Sequence, residues 1–214
     1  MYKTLSAIFL IALNFNTVFA QKEWKLSKEK EGIKIYTSIL PHSKIKAVKV
    51  ECAFKAKASE FVALLLDVES AKEWVYHTKS CKLIKQVSPS ELYYYSEVSV
   101  PWPVQNRDFV AHLTVSQHPG TKLITVDGPA VSGFVPLKPG VVRVEHSIGK
   151  WLIMPLENDQ IQVEYTLHLD PGGSIPAWLI NLFATEGPLQ IFKQLRVQLQ
   201  KPAYKNIKLA FIKD

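Results

Sequence analysis

Six histidines, two cysteines and three arginines are the residues from which metal, redox or charged-ligand chemistry would have to come. His42, His77, His112, His118, His146 and His168 form no pair at helical spacing and join no Cys/His cluster, so a zinc or iron site is unsupported. No phosphate-cradling glycine loop and no nucleophile elbow is present. Gly172-Gly173 reads as a tight turn into Ser174 sooner than as a phosphate site. Arg107 is the unusual charge. Counted by twos along its strand it shares a face with Phe109, Ala111, Leu113 and Val115, whereas Asp108 falls with His112 and Thr114. An arginine aimed at an apolar interior needs a carboxylate or several carbonyls, because an unpaired buried charge is costly. Either Arg107 ties down the Pro101-Trp102-Pro103 loop, or it meets the polar end of a ligand in a greasy pocket. No metal and no cofactor is expected.

The elements that would position these residues are mostly strands. Period-two alternation runs through residues 32–39, 45–55, 81–87, 92–100, 108–117, 122–127, 141–151 and 161–169. The cleanest case sets Ile161, Val163, Tyr165, Leu167 and Leu169 against Gln162, Glu164, Thr166 and His168. An antiparallel sheet with one solvated face follows. Residues 58–67 read as a helix with Ser59 as N-cap, and a shorter helical piece at 70–76 carries Trp74. A long helix is expected from Ser174, with Trp178, Leu179, Leu182, Phe183, Leu189, Phe192, Leu195 and Leu199 at helical spacing. Gly187-Pro188 should kink it, because Pro188 lacks an N–H and crowds the carbonyl of Ala184. Pro202 ends it and leaves a basic tail, 202–214. One helix cannot tightly fill a sheet of this size, so either bulky side chains plug the gap or a cavity stays open.

Composition bounds the rest. The chain has 214 residues, 47% of them hydrophobic, with 26 basic against 19 acidic side chains. That excludes a disordered tail or a disulfide-stapled miniprotein and fits one globular domain. Lys3, the apolar run 5–13 and Val18-Phe19-Ala20 have the layout of a secretory signal peptide at 1–20. The mature chain would run from residue 21 with net charge +6, exported to a periplasm or the exterior. No later apolar run approaches the ~18 residues of a membrane span. Export would allow Cys52 and Cys81 to be bridged, although both also read as small buried hydrophobes on strands. With three arginines and scattered lysines, nucleic-acid binding is disfavoured, and weak attraction to anionic lipid headgroups fits better.

Several stretches then become recognisable: Gly32-Ile33-Lys34-Ile35-Tyr36, Trp74, Pro101-Trp102-Pro103-Val104-Gln105-Asn106-Arg107-Asp108-Phe109-Val110, Val142-Arg143-Val144, and Asp170-Pro171-Gly172-Gly173-Ser174-Ile175-Pro176-Ala177-Trp178. In this order they resemble the START (StAR-related lipid-transfer) domain, nearest its phosphatidylcholine-transfer branch. The resemblance covers residues 21–201. It implies an α+β helix-grip fold, about nine curved antiparallel strands gripping a kinked C-terminal helix around a hydrophobic tunnel. It also implies that this helix and the Trp102 loop form a lid hinged at Gly187-Pro188. The headgroup residues of relatives do not carry over. Phosphatidylcholine binders have an arginine and an aspartate where this chain has Ala71 and Val75, and aromatics of their choline cage align with Ser96 and Phe109. The acid and arginine paired in sterol binders align with Tyr94 and Leu113.

The expected activity is non-enzymatic binding and transfer of one lipid or other hydrophobic molecule. Trp74, Tyr94, Trp102, Arg107, Leu113, Tyr165, Trp178 and Leu182 would line the tunnel, with Tyr94, Tyr165 and Arg107 as its few polar handles. Trp102 and the apolar 134–137 loop could touch a membrane transiently. Two alternatives compete: a cyclase or hydrolase on the same scaffold, using Arg107 with a tunnel histidine or tyrosine, and a ligand-free interaction module with a filled interior.

Overall fold

Alternating side chains give most strands one apolar face, and the strands pair edge to edge through backbone hydrogen bonds into one sheet that is antiparallel except at β8. The computed structural model describes residues 23–39, 46–173, 175–176 and 184–214. Ten strands form: β1 (Lys25–Lys30), β2 (Ile33–Ile39), β3 (Lys46–Lys55), β4 (Thr78–Ser88), β5 (Glu91–Val98), β6 (Asn106–Gln117), β7 (Ile124–Val131), β8 (Val141–Arg143), β9 (His146–Leu156) and β10 (Gln160–Asp170). Nine follow the order β1-β2-β3-β10-β9-β7-β6-β5-β4, and short β8 runs parallel to the start of β6. Helix α1 (Ala58–Leu66) and helix α2 (Glu186–Gln198) cover the concave face.

Three expectations about elements change. The stretch 141–151 is not one strand. Val144 is buried and its N–H bonds the Asp108 carbonyl (2.8 Å), which ends β8 before β9 begins pairing with β7 and β10. Ser59 is not the N-cap of α1, a position held by Lys57; its N–H and hydroxyl instead donate to the Asp214 carboxylate at 2.7 and 2.8 Å. Gly187 and Pro188 stand in the first turn of α2, after a turn at Ala184-Thr185, where a missing N–H costs no helical bond. Among the described residues the expected interruption is therefore a helix start. The proposed cap Ser174 and residues 177–183 lie outside the described residues.

Cys52 and Cys81 are free and buried, so the bridge that export would allow is absent. They sit on β3 and β4, with five strands between them in the sheet order, which denies them the close Cα approach a disulfide needs. The 202–214 segment is packed on the domain. Tyr204 and Ile212 are buried, the Tyr204 hydroxyl donates to Asp67 (2.7 Å), and Lys213 and Gln117 exchange hydrogen bonds.

Candidate functional site

Register arranges the inner face in rows. Val98 stands opposite Arg107, Ser96 opposite Phe109, Tyr94 opposite Ala111 and Leu92 opposite Leu113. On the other limb of the sheet Val48 faces Leu167, Val50 faces Tyr165 and Cys52 faces Val163. Packing differs from one end of these rows to the other. Toward Phe54 the interior is filled by an aromatic cluster. Phe54 and Phe61 lie 5.1 Å apart, Trp151 contacts Phe61, Tyr165 and Phe192, and Phe54 also meets Phe192. Toward Arg107 the rows stay open. A cavity of about 300 Å³ lies there, bounded by Val48, Val98, Phe109, Leu167, Leu169 and Pro188 among others. That volume is at the small end of ligand pockets, and the walls are largely aliphatic and aromatic.

Arg107 stands at the rim of this space, 6% exposed. Its Nε donates to the Pro171 carbonyl (3.3 Å), one Nη to Gly172 (3.1 Å) and the other Nη to Gln105. It thus pins the turn after β10 to the loop before β6, using carbonyls and no carboxylate. Loss of water around it lowers its pKa, with no anion to offset the effect. Arg143 gives the contrast. It grips Asp108 with two nitrogens at 2.7 and 3.1 Å, and also bonds the Val135 and Pro136 carbonyls. Asp108 further accepts from the Tyr95 hydroxyl at 3.1 Å.

The other expected residues divide. Tyr94 packs edge-on to Phe109, one row below the cavity, and Tyr165, one row in from Leu167, lies tilted against Trp151 with ring centres 4.1 Å apart. Burial pushes both phenols well above the ordinary tyrosine value, and neither hydroxyl bonds a described residue. Space for Tyr165 depends on Gly149, where a Cβ would lie 3.4 Å from the phenol oxygen. Leu113 lies a row deeper, in the packed core. Trp74 is buried away from the cavity, beside a separate polar groove that includes Glu73, Glu186, Gln190 and Gln194. Trp102 is 92% exposed on its loop, beside Pro101 of the cavity wall. Gly187 packs against Tyr76, while Trp178 and Leu182 lie outside the described residues.

Of the lining residues only Arg107 and, as a hinge, Pro188 were anticipated; most of the wall was not, including Val48, Phe109 and Leu167 and the polar Lys46, Tyr76 and His77. Lys46 shares parity with Val48 and Val50, so the alternation could have placed it inward. Nothing comparable marks His77, whose positive φ (59°) follows from the turn into β4. His77 packs edge-on to Tyr76 at 4.2 Å. Among the described residues no group of three or more His, Cys, Asp and Glu side chains could hold a metal.

The sequence model of the START domain matches residues 16–205. The chain belongs to the START family. An uncharacterised protein of Pseudomonas aeruginosa is 33% identical over 186 residues, covering 84% of this chain and 88% of its own. The phosphatidylcholine transfer protein of Bos taurus is 27% identical over 177 residues, 80% of this chain and 82% of that protein. A solved STAR-related lipid transfer protein from Xanthomonas axonopodis superposes with a TM-score of 0.77 at 36% identity, covering 83% of this chain and 99% of that one. The START helix grip is thus the frame around the cavity, as the motif order implied.

Proposed function

We propose that this START protein is a non-enzymatic carrier that takes up one lipid or similar hydrophobic molecule and transfers it. The observation that carries the reading is the apolar cavity of about 300 Å³ at the Arg107 end of the grip. Burial of a guest's hydrocarbon there would supply binding energy at ~25 cal/mol per Å² of apolar area. The naming of relatives as lipid transfer proteins supports the same assignment. Carriage is favoured over a cyclase or hydrolase because the one described histidine on the wall, His77, packs on Tyr76 and has no paired carboxylate to orient it as a base.

Contact with a membrane surface is part of the proposal. Trp102 and Leu137, 92% and 73% exposed, sit on the two loops that flank the start of β6. Phe134, 42% exposed, is less available for that role, since its ring stacks on Tyr93 at 4.3 Å. We further assign the chain to an exported compartment on the leader expected at residues 1–20, which lies outside the described residues. Mass spectrometry of protein purified from its host is the test. One extractable lipid per chain is expected; preparations that are repeatedly empty and ignore every lipid class offered would overturn the carrier.

A further inference from the structure

We propose that the guest is an anionic amphiphile, a single apolar chain ending in a carboxylate or phosphate, with its head held by Arg107. This deepens the carrier reading and rests on it. A guanidinium has five N–H donors, and three of Arg107's are used on carbonyls. Among the described residues nothing takes the other two, which belong to a cation at the rim of an apolar cavity. Carbonyl dipoles ease the burial of a positive charge without neutralising it, so a full countercharge is still the strongest partner it could gain. The acidic side chains nearby in sequence are engaged elsewhere: Asp108 with Arg143 and Tyr95, and Asp170 with the Gly172 N–H.

The rest of the wall agrees. Among the described residues no acidic side chain lines the cavity. In a low-dielectric space walled by aliphatic groups, the charge of Arg107 favours an anion over a zwitterion or a neutral headgroup. The small volume favours one chain over two. The lowered Arg107 pKa, with burial as its sole cause, is what a cation lacking its counterion would show.

Val98 offers a test that leaves Arg107's own clamp in place. It faces Arg107 across the β5–β6 pair and lines the cavity, so Val98→Asp would set a carboxylate within reach of the guanidinium and neutralise it from inside. Oleate and oleyl alcohol would be titrated into wild type, Val98→Asp and the uncharged control Val98→Asn. Oleoyl lysophosphatidate and mono-oleoylglycerol would be run in parallel to separate a phosphate head from a carboxylate head. Wild type should bind the anion of at least one pair about tenfold more tightly than its neutral partner. Both variants put a polar side chain into the cavity wall and should bind every chain less tightly than wild type; the ratio of anion to neutral affinity should fall to about one in Val98→Asp and stay well above one in Val98→Asn. Equal binding of anion and neutral chain by wild type, or a wild-type preference in Val98→Asp, would overturn the inference. If Val98→Asp does not fold, the wild-type ratio alone decides. Absence of binding by all four lipids would instead count against the carrier reading itself.

Discussion

Glu97 shows how a carboxylate can be buried when cations pair it. It lies on the outer face of β5, 1% exposed, and accepts from Lys138 (2.5 Å), Lys79 (2.9 Å) and Asn106 (3.1 Å). Hydrogen bonds from Lys138 and then Lys79 hold its pKa down to about 2. A depressed folded-state pKa contributes stability that is fully present above the ordinary carboxylate value and is lost as pH falls toward 2. Thermal melts should therefore lose stability between pH 4.5 and 2, and Glu97→Gln should flatten that slope and cost about 1–2 kcal/mol at neutral pH. Both lysines are half exposed, so the loss stays below that of a fully buried pair. The cysteines give a second check. Burial raises the Cys52 pKa and pushes Cys81 up to about 12, so both thiols should resist alkylation in the native protein at pH 8. Two labels per chain should appear after unfolding without reductant; none would mean a bridge exists. Strand parity made Arg107's inward face legible in the sequence. Its carbonyl partners at Pro171 and Gly172 lie more than sixty residues away and were not legible.

At the scale of elements, legibility followed the hydrophobic pattern. Strand β10 alternates cleanly because one face is core and the other is more open to solvent, and it was read to within a residue of its ends. Strand β1, with the sequence KLSKEK, has no buried residue and gave no alternation to read. On β4 counting by twos would set Cys81 with Leu83 and Val87, but irregularities in register break that parity, and Leu83 and Val87 are exposed on this edge strand. The tail was legible only as basic. Its grip comes from Asp214 on the first turn of α1, from the Asn206 N–H to Glu60 (2.8 Å), and from buried Tyr204 and Ile212. Deleting residues 202–214 should therefore destabilise the domain by about 3 kcal/mol or more in denaturant melts. A detachable tail would leave the midpoint unchanged.

For the molecule as a whole, sequence left two outcomes open, a plugged grip or a hollow one, because the apolar area of sheet and helix is the same in both. The structure divides the interior between them. Phe54, Phe61, Trp151, Tyr165 and Phe192 fill the end under α1, and the rows from Phe109 to Arg107 remain open. Bulky aromatics could not be assigned to one end or the other without the register between β3, β10 and β9. Ligand length should be limited accordingly, since a chain that enters beside Arg107 meets Tyr94, one row in from Phe109, and Tyr165, one row in from Leu167. The most direct measurement is a titration of purified, delipidated protein with a fluorescent single-chain fatty acid, repeated on Leu169→Trp, which fills the cavity from β10. Binding should saturate at one molecule per chain in the wild type and weaken about tenfold or more in the folded variant, as expected when an indole takes the space of the guest. Unsaturable binding, or equal affinity in the two proteins, would mean that this cavity is not where a ligand is carried.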